Sequence, residues 1–124
     1  MLDVERHRRR ARKLLAMVEK RFEVELPEVI AHTAYYAMYH AALAALIHAG
    51  VPVPRTHSGM VTRFTQQFKG ATPDGVQQSA RLSRGLQRRL IADYEADDTL
   101  TLEHARAAHV DATAFVTFCE QLIG

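Results

Sequence analysis

Residues 34–43 read Ala34-Tyr35-Tyr36-Ala37-Met38-Tyr39-His40-Ala41-Ala42-Leu43, three tyrosines and a histidine set into an otherwise apolar, alanine-rich run. Apolar positions continue through Ala44, Ala45, Leu46 and Ile47 to Gly50, a residue that suits a helix end because it tolerates positive φ. A helix that is apolar on every side belongs inside a bundle, so the other helices are expected to pack around this one. Each buried phenol or imidazole then needs a hydrogen-bond partner, because leaving one unpaired costs about 1–3 kcal/mol. Those partners must come from the surrounding helices.

Working outward, Pro27 suits the first turn of this helix and Glu28 its positive end, which gives a span from Pro27 to about Ala49. Upstream, Val4, Ala11, Leu15, Val18 and Phe22 recur at helical steps with charge opposite, predicting an amphipathic helix from Asp3 to Phe22. It opens with Arg6, Arg8, Arg9, Arg10, Arg12 and Lys13, a run read first as the solvated face of a surface helix and second as a phosphate contact. Downstream, Val51-Pro52-Val53-Pro54 is a stiff connector. Thr56 or Ser58 then caps a short third helix that reaches Phe68, with Met60, Val61, Phe64 and Phe68 inward.

Thr72-Pro73-Asp74 has the form of another start, a capping hydroxyl followed by proline and an acid, for a fourth helix to about Glu95. Along it Leu82, Leu86, Leu90 and Asp93 share one side with Arg89 beside them, while Arg81, Arg84 and Arg88 form a basic stripe on another. Asp97, Asp98 and Thr99 mark a break, and Thr101 caps a closing helix from Leu102 to Ile123 with Ala105, Ala112, Phe115, Val116, Cys119 and Ile123 inward. There is no β-alternation, internal repeat or linker. The expected architecture is one all-α domain over residues 1–124, an up-and-down helical bundle of about five helices.

Bulk properties agree with a globular chain: 124 residues, 48% hydrophobic, 24% charged. A formal net charge of +2 is too small to argue for nucleic acid by itself. One cysteine, Cys119, excludes an internal disulfide and fits a reducing, cytoplasmic setting; no apolar run approaches the roughly 18 residues of a membrane span. The charged N-terminus lacks the pattern of a signal peptide, so neither insertion nor secretion is expected.

No metal or cofactor is expected. His32, His40 and His48 are eight apart, which turns each about 80° from the last, and His104 and His109 are five apart, so neither set converges. Cys119 falls on a core position and reads as packing. Two polar constellations remain. Tyr36 and His40, one turn apart, stand to meet Arg89, Asp93 and Tyr94 from the fourth helix, either as a buried network that fixes helix register or as a ligand pocket. Arg55, Thr56, His57 and Ser58 lie at a helix start, where a capped junction is the commoner reading and a phosphate site the sharper one.

The order Ala34 to Ala42, then Thr56-His57-Ser58-Gly59, then Arg89 through Ala92 to Asp93-Tyr94, resembles the HEPN domain family, in particular its small stand-alone bacterial and archaeal members. The resemblance covers nearly the whole chain. It implies an up-and-down bundle that forms a homodimer, often beside a minimal nucleotidyltransferase as a toxin and antitoxin pair. Many family members are metal-independent ribonucleases whose activity rests on an arginine followed, after four to six residues, by a histidine. No arginine here stands at that spacing before His32, His40, His48, His57, His104 or His109. Arg88 comes nearest, with Asp93 where the histidine would fall and Tyr94 just beyond.

An ionised aspartate accepts a proton but does not serve as both acid and base near neutral pH, as imidazole does. The resemblance, so modified, implies a protein that binds a nucleotide, an RNA or a nucleotidyltransferase partner rather than one that cleaves. The alternatives are a divergent ribonuclease that pairs Arg88 or Arg89 with His40 or His57, and a purely structural dimerisation module.

Overall fold

The computed structural model describes residues 2–94 and 100–124, apart from the side chains of Leu2 and Tyr94. Five helices follow in order: α1 (Leu2–Arg21), α2 (Pro27–His48), α3 (His57–Phe68), α4 (Gly75–Tyr94) and α5 (Leu102–Ile123), and the described residues contain no strand. The molecule is the all-α five-helix bundle that the periodicity implies.

α2 is its axis. Ile30, Ala34, Tyr35, Ala37, Met38, Ala41, Ala42 and Leu46 are all buried, and the helix touches each of the other four. Its alanines keep the cylinder thin, so the four neighbours approach closely and exclude water from most of its surface. Pro27 occupies its first turn, and Gly50, at φ 74°, follows its end. α1 lays Val4, Ala11, Leu15 and Val18 against this axis, each nearly inaccessible, with Phe22 partly buried just past its last turn. Every large side chain so removed from water contributes about 1.5–3 kcal/mol.

Thr56, rather than Ser58, caps α3: its hydroxyl oxygen accepts the Gly59 amide at 3.0 Å. From α3, Phe64 sits between Phe68 and Phe115 of α5, at ring-centre distances of 4.7 and 5.0 Å. Thr101 caps α5, and His104 completes the capping box by accepting the Thr101 amide at 3.0 Å. Ala105, Ala112, Phe115, Val116 and Cys119 are buried as expected, but Ile123, in the last turn, is only half-buried. Burial pushes the Cys119 thiol well above its ordinary pKa, which suits packing and not nucleophilic chemistry.

Two expectations for α4 are corrected. Thr72 does not cap it: the helix begins at Gly75, Pro73 lies in the preceding turn, and the buried Thr72 hydroxyl has no hydrogen-bond partner. The reason is a close crossing, since a Cβ on Gly75 would lie 2.1 Å from the Phe68 carbonyl oxygen. Leu90 does not continue the apolar side of Leu82 and Leu86 but is 42% exposed, because Arg88 and Arg89 turn inward at that end. Glu95 and the break at Asp97, Asp98 and Thr99 lie outside the described residues.

Candidate functional site

The polar side chains of α2 meet the end of α4 at Asp93. Its Oδ1 is 2.9 Å from Nδ1 of His32, and its Oδ2 is 2.9 Å from Nε of Arg89, one turn back on its own helix. The second contact is at ion-pair distance without hydrogen-bond alignment. The Arg89 guanidinium carbon lies 5.9 Å from the centre of the Tyr36 ring, and the His32 ring packs on the same tyrosine at 4.8 Å. Asp93 therefore joins two helices through an imidazole and a guanidinium, both held against one aromatic ring. With Nδ1 engaged, His32 keeps a 43% exposed side chain at the rim and a second ring nitrogen that has no part in the Asp93 contact.

Tyr35 finds its partner on α3, where its hydroxyl shares a 2.7 Å hydrogen bond with Nδ1 of His57. The His57 ring stands over Tyr39 at 4.8 Å and edge-on to Tyr36 at 5.9 Å. Burial raises the Tyr35 pKa well above its ordinary value, and burial with the nearby Arg89 charge lowers that of His57. Both groups are thus neutral near pH 7. The two constellations read from the sequence meet here, because His57 belongs with the α2 tyrosines. The rest of the second block does not follow it: Thr56 is a cap, and Arg55 and Ser58 are exposed.

His40 is not part of the Arg89 cluster, contrary to expectation. Four residues along α2 from Tyr36 carry it about 6 Å along the axis and about 40° around it, and it packs on α1 instead. Its Nδ1 lies 2.9 Å from Nδ1 of His7, with the rings stacked at 5.1 Å. Burial, with help from His7 and Arg10, pushes the His40 pKa down to about 4. A nitrogen-to-nitrogen contact of this length requires that one ring donate and the other accept.

Arg88 also departs from Asp93. With Arg81 and Arg84 it converges on Asp111 of α5, at 2.7 Å for Arg88 and 3.2 Å for each of the other two. Asp111 is 6% exposed. Burial alone would raise its pKa, but hydrogen bonds from Arg84 and Arg88 outweigh that and hold the carboxyl below its ordinary value. The basic stripe is therefore largely a structural clamp between α4 and α5, with only Arg84 about half exposed. Sequence reasoning missed Asp111; its signal was an acid next to Ala112 on an otherwise inward-facing stretch, opposite three arginines at helical spacing. The Tyr94 side chain lies outside the described residues.

The described residues bring together no group of three metal-ligating side chains, and none of their helices is long and apolar enough to cross a membrane.

A profile of the HEPN domain matches residues 4–122. A UPF0332 protein of Archaeoglobus fulgidus is 33% identical over 118 residues, which cover 94% of this chain and 91% of that protein.

Proposed function

The chain belongs to the HEPN domain family, and from that premise we propose that it is a nucleotide- or RNA-binding protein, the regulatory component of a nucleotidyltransferase-linked toxin and antitoxin type of system. It works as a single helical domain in the cytoplasm and as a homodimer. The observation that carries this reading is the position of Arg89, beside Tyr36 and tied by Asp93 to His32. A guanidinium next to an aromatic ring and an imidazole is a set of groups suited to a phosphate and its base. Asp93 occupies the place where the family's ribonucleases carry histidine, and it is already engaged by two partners. Leu90 and Ile91, both more than one-third exposed beside Arg89, give the second copy an apolar contact next to the site.

A second reading has its own support. Asp93 on Nδ1 of His32 is the arrangement that orients a catalytic imidazole, and Arg89 stands close by to stabilise a phosphorane-like charge. In that case His32, from another helix, does the work of the missing histidine, and the protein is a metal-independent ribonuclease.

RNA binding and RNA cleavage measured together on pure protein, with mixed cellular RNA, separate these readings. Arg89→Gln is the informative variant, because replacing Arg88 would also break the Asp111 clamp. Binding without cleavage, lost in Arg89→Gln while the variant keeps its helical content and cooperative unfolding, is the expected result. Cleavage abolished by His32→Gln establishes the ribonuclease instead. Absence of RNA or nucleotide binding, together with no nucleotidyltransferase recovered on co-purification from native cells, overturns the proposal.

A further inference from the structure

The arginine-rich run of α1 divides into two groups. Arg8 and Arg12 have carboxylate partners, Glu5 at 3.3 Å and Glu120 at 2.8 Å. Arg6, Arg9, Arg10 and Lys13 have none within 4 Å among the described residues, and all four line an open depression of about 500 Å³ together with His7 and His40. Positions 6, 10 and 13 fall on one face of the helix, directly beside the buried stripe of Val4, Ala11 and Leu15 that seats α1 on α2. The floor is the His7–His40 contact, with one ring from each helix.

Four unpaired cations around one cavity repel one another, and the desolvated His pair beneath them, its pKa values lowered by burial, supplies no counter-charge. A divalent metal on the two imidazoles is excluded by the same cations. An oxyanion carrying two negative charges answers every element of the site: guanidinium forks for its oxygens, an ammonium at the rim, and imidazole N–H donors beneath.

We propose that the α1–α2 depression is a phosphate-binding site, with Arg6, Arg9, Arg10 and Lys13 as its charged wall and His7 and His40 as its floor. The ligand chemistry is a phosphoryl group, carried by a free phosphate compound or by a polynucleotide backbone. The site stands on α1 and does not depend on the Arg89 cluster. Loading it couples to a proton: the anion favours a protonated pair in which His7 and His40 both donate to phosphate oxygens. The charged and titratable groups around the pair are Asp3, Arg6, Arg9, Arg10 and Lys13 on α1, and Tyr39 on α2. Of these only Asp3 favours the proton, so the phosphoryl group supplies most of the missing negative charge.

The test is a titration of the full chain, followed through the histidine ring resonances, with pyrophosphate in one arm and a short oligouridylate in the other. Saturable shifts of His7 and His40 are expected, with affinity at about pH 5.5 exceeding that at about pH 7.5 by roughly fivefold or more. Arg10→Gln with Lys13→Gln should weaken binding about tenfold or more, whereas Arg8→Gln, which removes the same kind of charge from the same helix, should change it by less than about twofold. Response to both ligands identifies a general phosphoryl site, and response to the oligonucleotide alone identifies the backbone as its source. If neither ligand moves His7 or His40, or if Arg8→Gln weakens binding as much as the double variant, the site does not exist as described. Arg89→Gln leaves this titration intact, so failure here is distinguishable from failure at Arg89.

Discussion

His32 and Asp93, sixty-one residues apart in sequence, meet at 2.9 Å and fasten the middle helix of the bundle to the last turn of α4. The same carboxylate holds Arg89, whose side chain is 15% exposed. Asp93→Ala removes the carboxylate that His32 and Arg89 share and leaves a mostly buried guanidinium without it. A loss of about 1–2 kcal/mol is expected, less than for a fully buried pair because Asp93 is partly solvated. Urea unfolding of the variant measures this, and an unchanged midpoint would show that the bridge adds nothing to the fold.

Asp111 is the stronger case. It is nearly inaccessible and is the common acceptor for Arg81, Arg84 and Arg88. Asp111→Ala should cost about 3 kcal/mol or more, since three guanidiniums then face one another without a counter-charge. The pH dependence follows from its lowered pKa. The folded carboxyl binds its proton at lower pH than the unfolded one, so its stabilisation is complete above the ordinary value of 3.8 and is lost as pH falls through the folded value. Acid unfolding of wild type and Asp111→Asn should therefore converge at low pH and diverge toward neutrality.

His40 has the opposite chemistry and a different window. Its pKa falls from 6.5 to about 4 on folding, so between those values the unfolded chain binds the proton and the folded one does not. Stability due to this group is complete above about pH 6.5 and declines as pH drops toward 4, by about 1–2 kcal/mol after allowance for its partial solvation. His40→Gln should flatten the slope of unfolding free energy against pH across that interval. A slope identical to wild type would mean that His40 titrates normally.

Gly75 gives a backbone prediction. A methyl group there would sit 2.1 Å from the Phe68 carbonyl oxygen and 2.6 Å from that of Lys69. Gly75→Ala must push the start of α4 away from the end of α3, at a cost of about 2 kcal/mol, despite the better helix propensity of alanine. Thermal unfolding of the variant checks this, and a raised melting temperature would contradict the crossing.

Most of the fold was legible because helical periodicity and caps are local. Thr56 and Thr101 declare two helix starts within three residues of themselves, and the all-round apolar character of α2 announces its central place. The start of α4 was not legible, because Thr72-Pro73-Asp74 has the right local chemistry while the true start is set by Phe68 and Lys69 across a turn. The site was half legible. Tyr36, Arg89 and Asp93 lie on faces that periodicity brings together, but His40 and Arg88 left that group for His7 and Asp111, partners on helices whose rotation about α2 no spacing rule gives. His57 joined the tyrosines for the same reason: a connector containing two prolines fixes where α3 begins in space, and sequence alone does not reveal that position.

The burial of most of α2 among the other four helices bears on how the protein responds to whatever occupies it. Backbone amides along such a helix exchange with solvent only when the whole molecule opens, whereas the ends of peripheral helices open locally. His32 and Tyr36 ride on the element expected to exchange most slowly, and Arg89 and Asp93 on the closing turns of another. A bound molecule spanning the two would register as slowed exchange at the end of α4 while α2 stays unaltered, making that helix terminus a built-in reporter of occupancy.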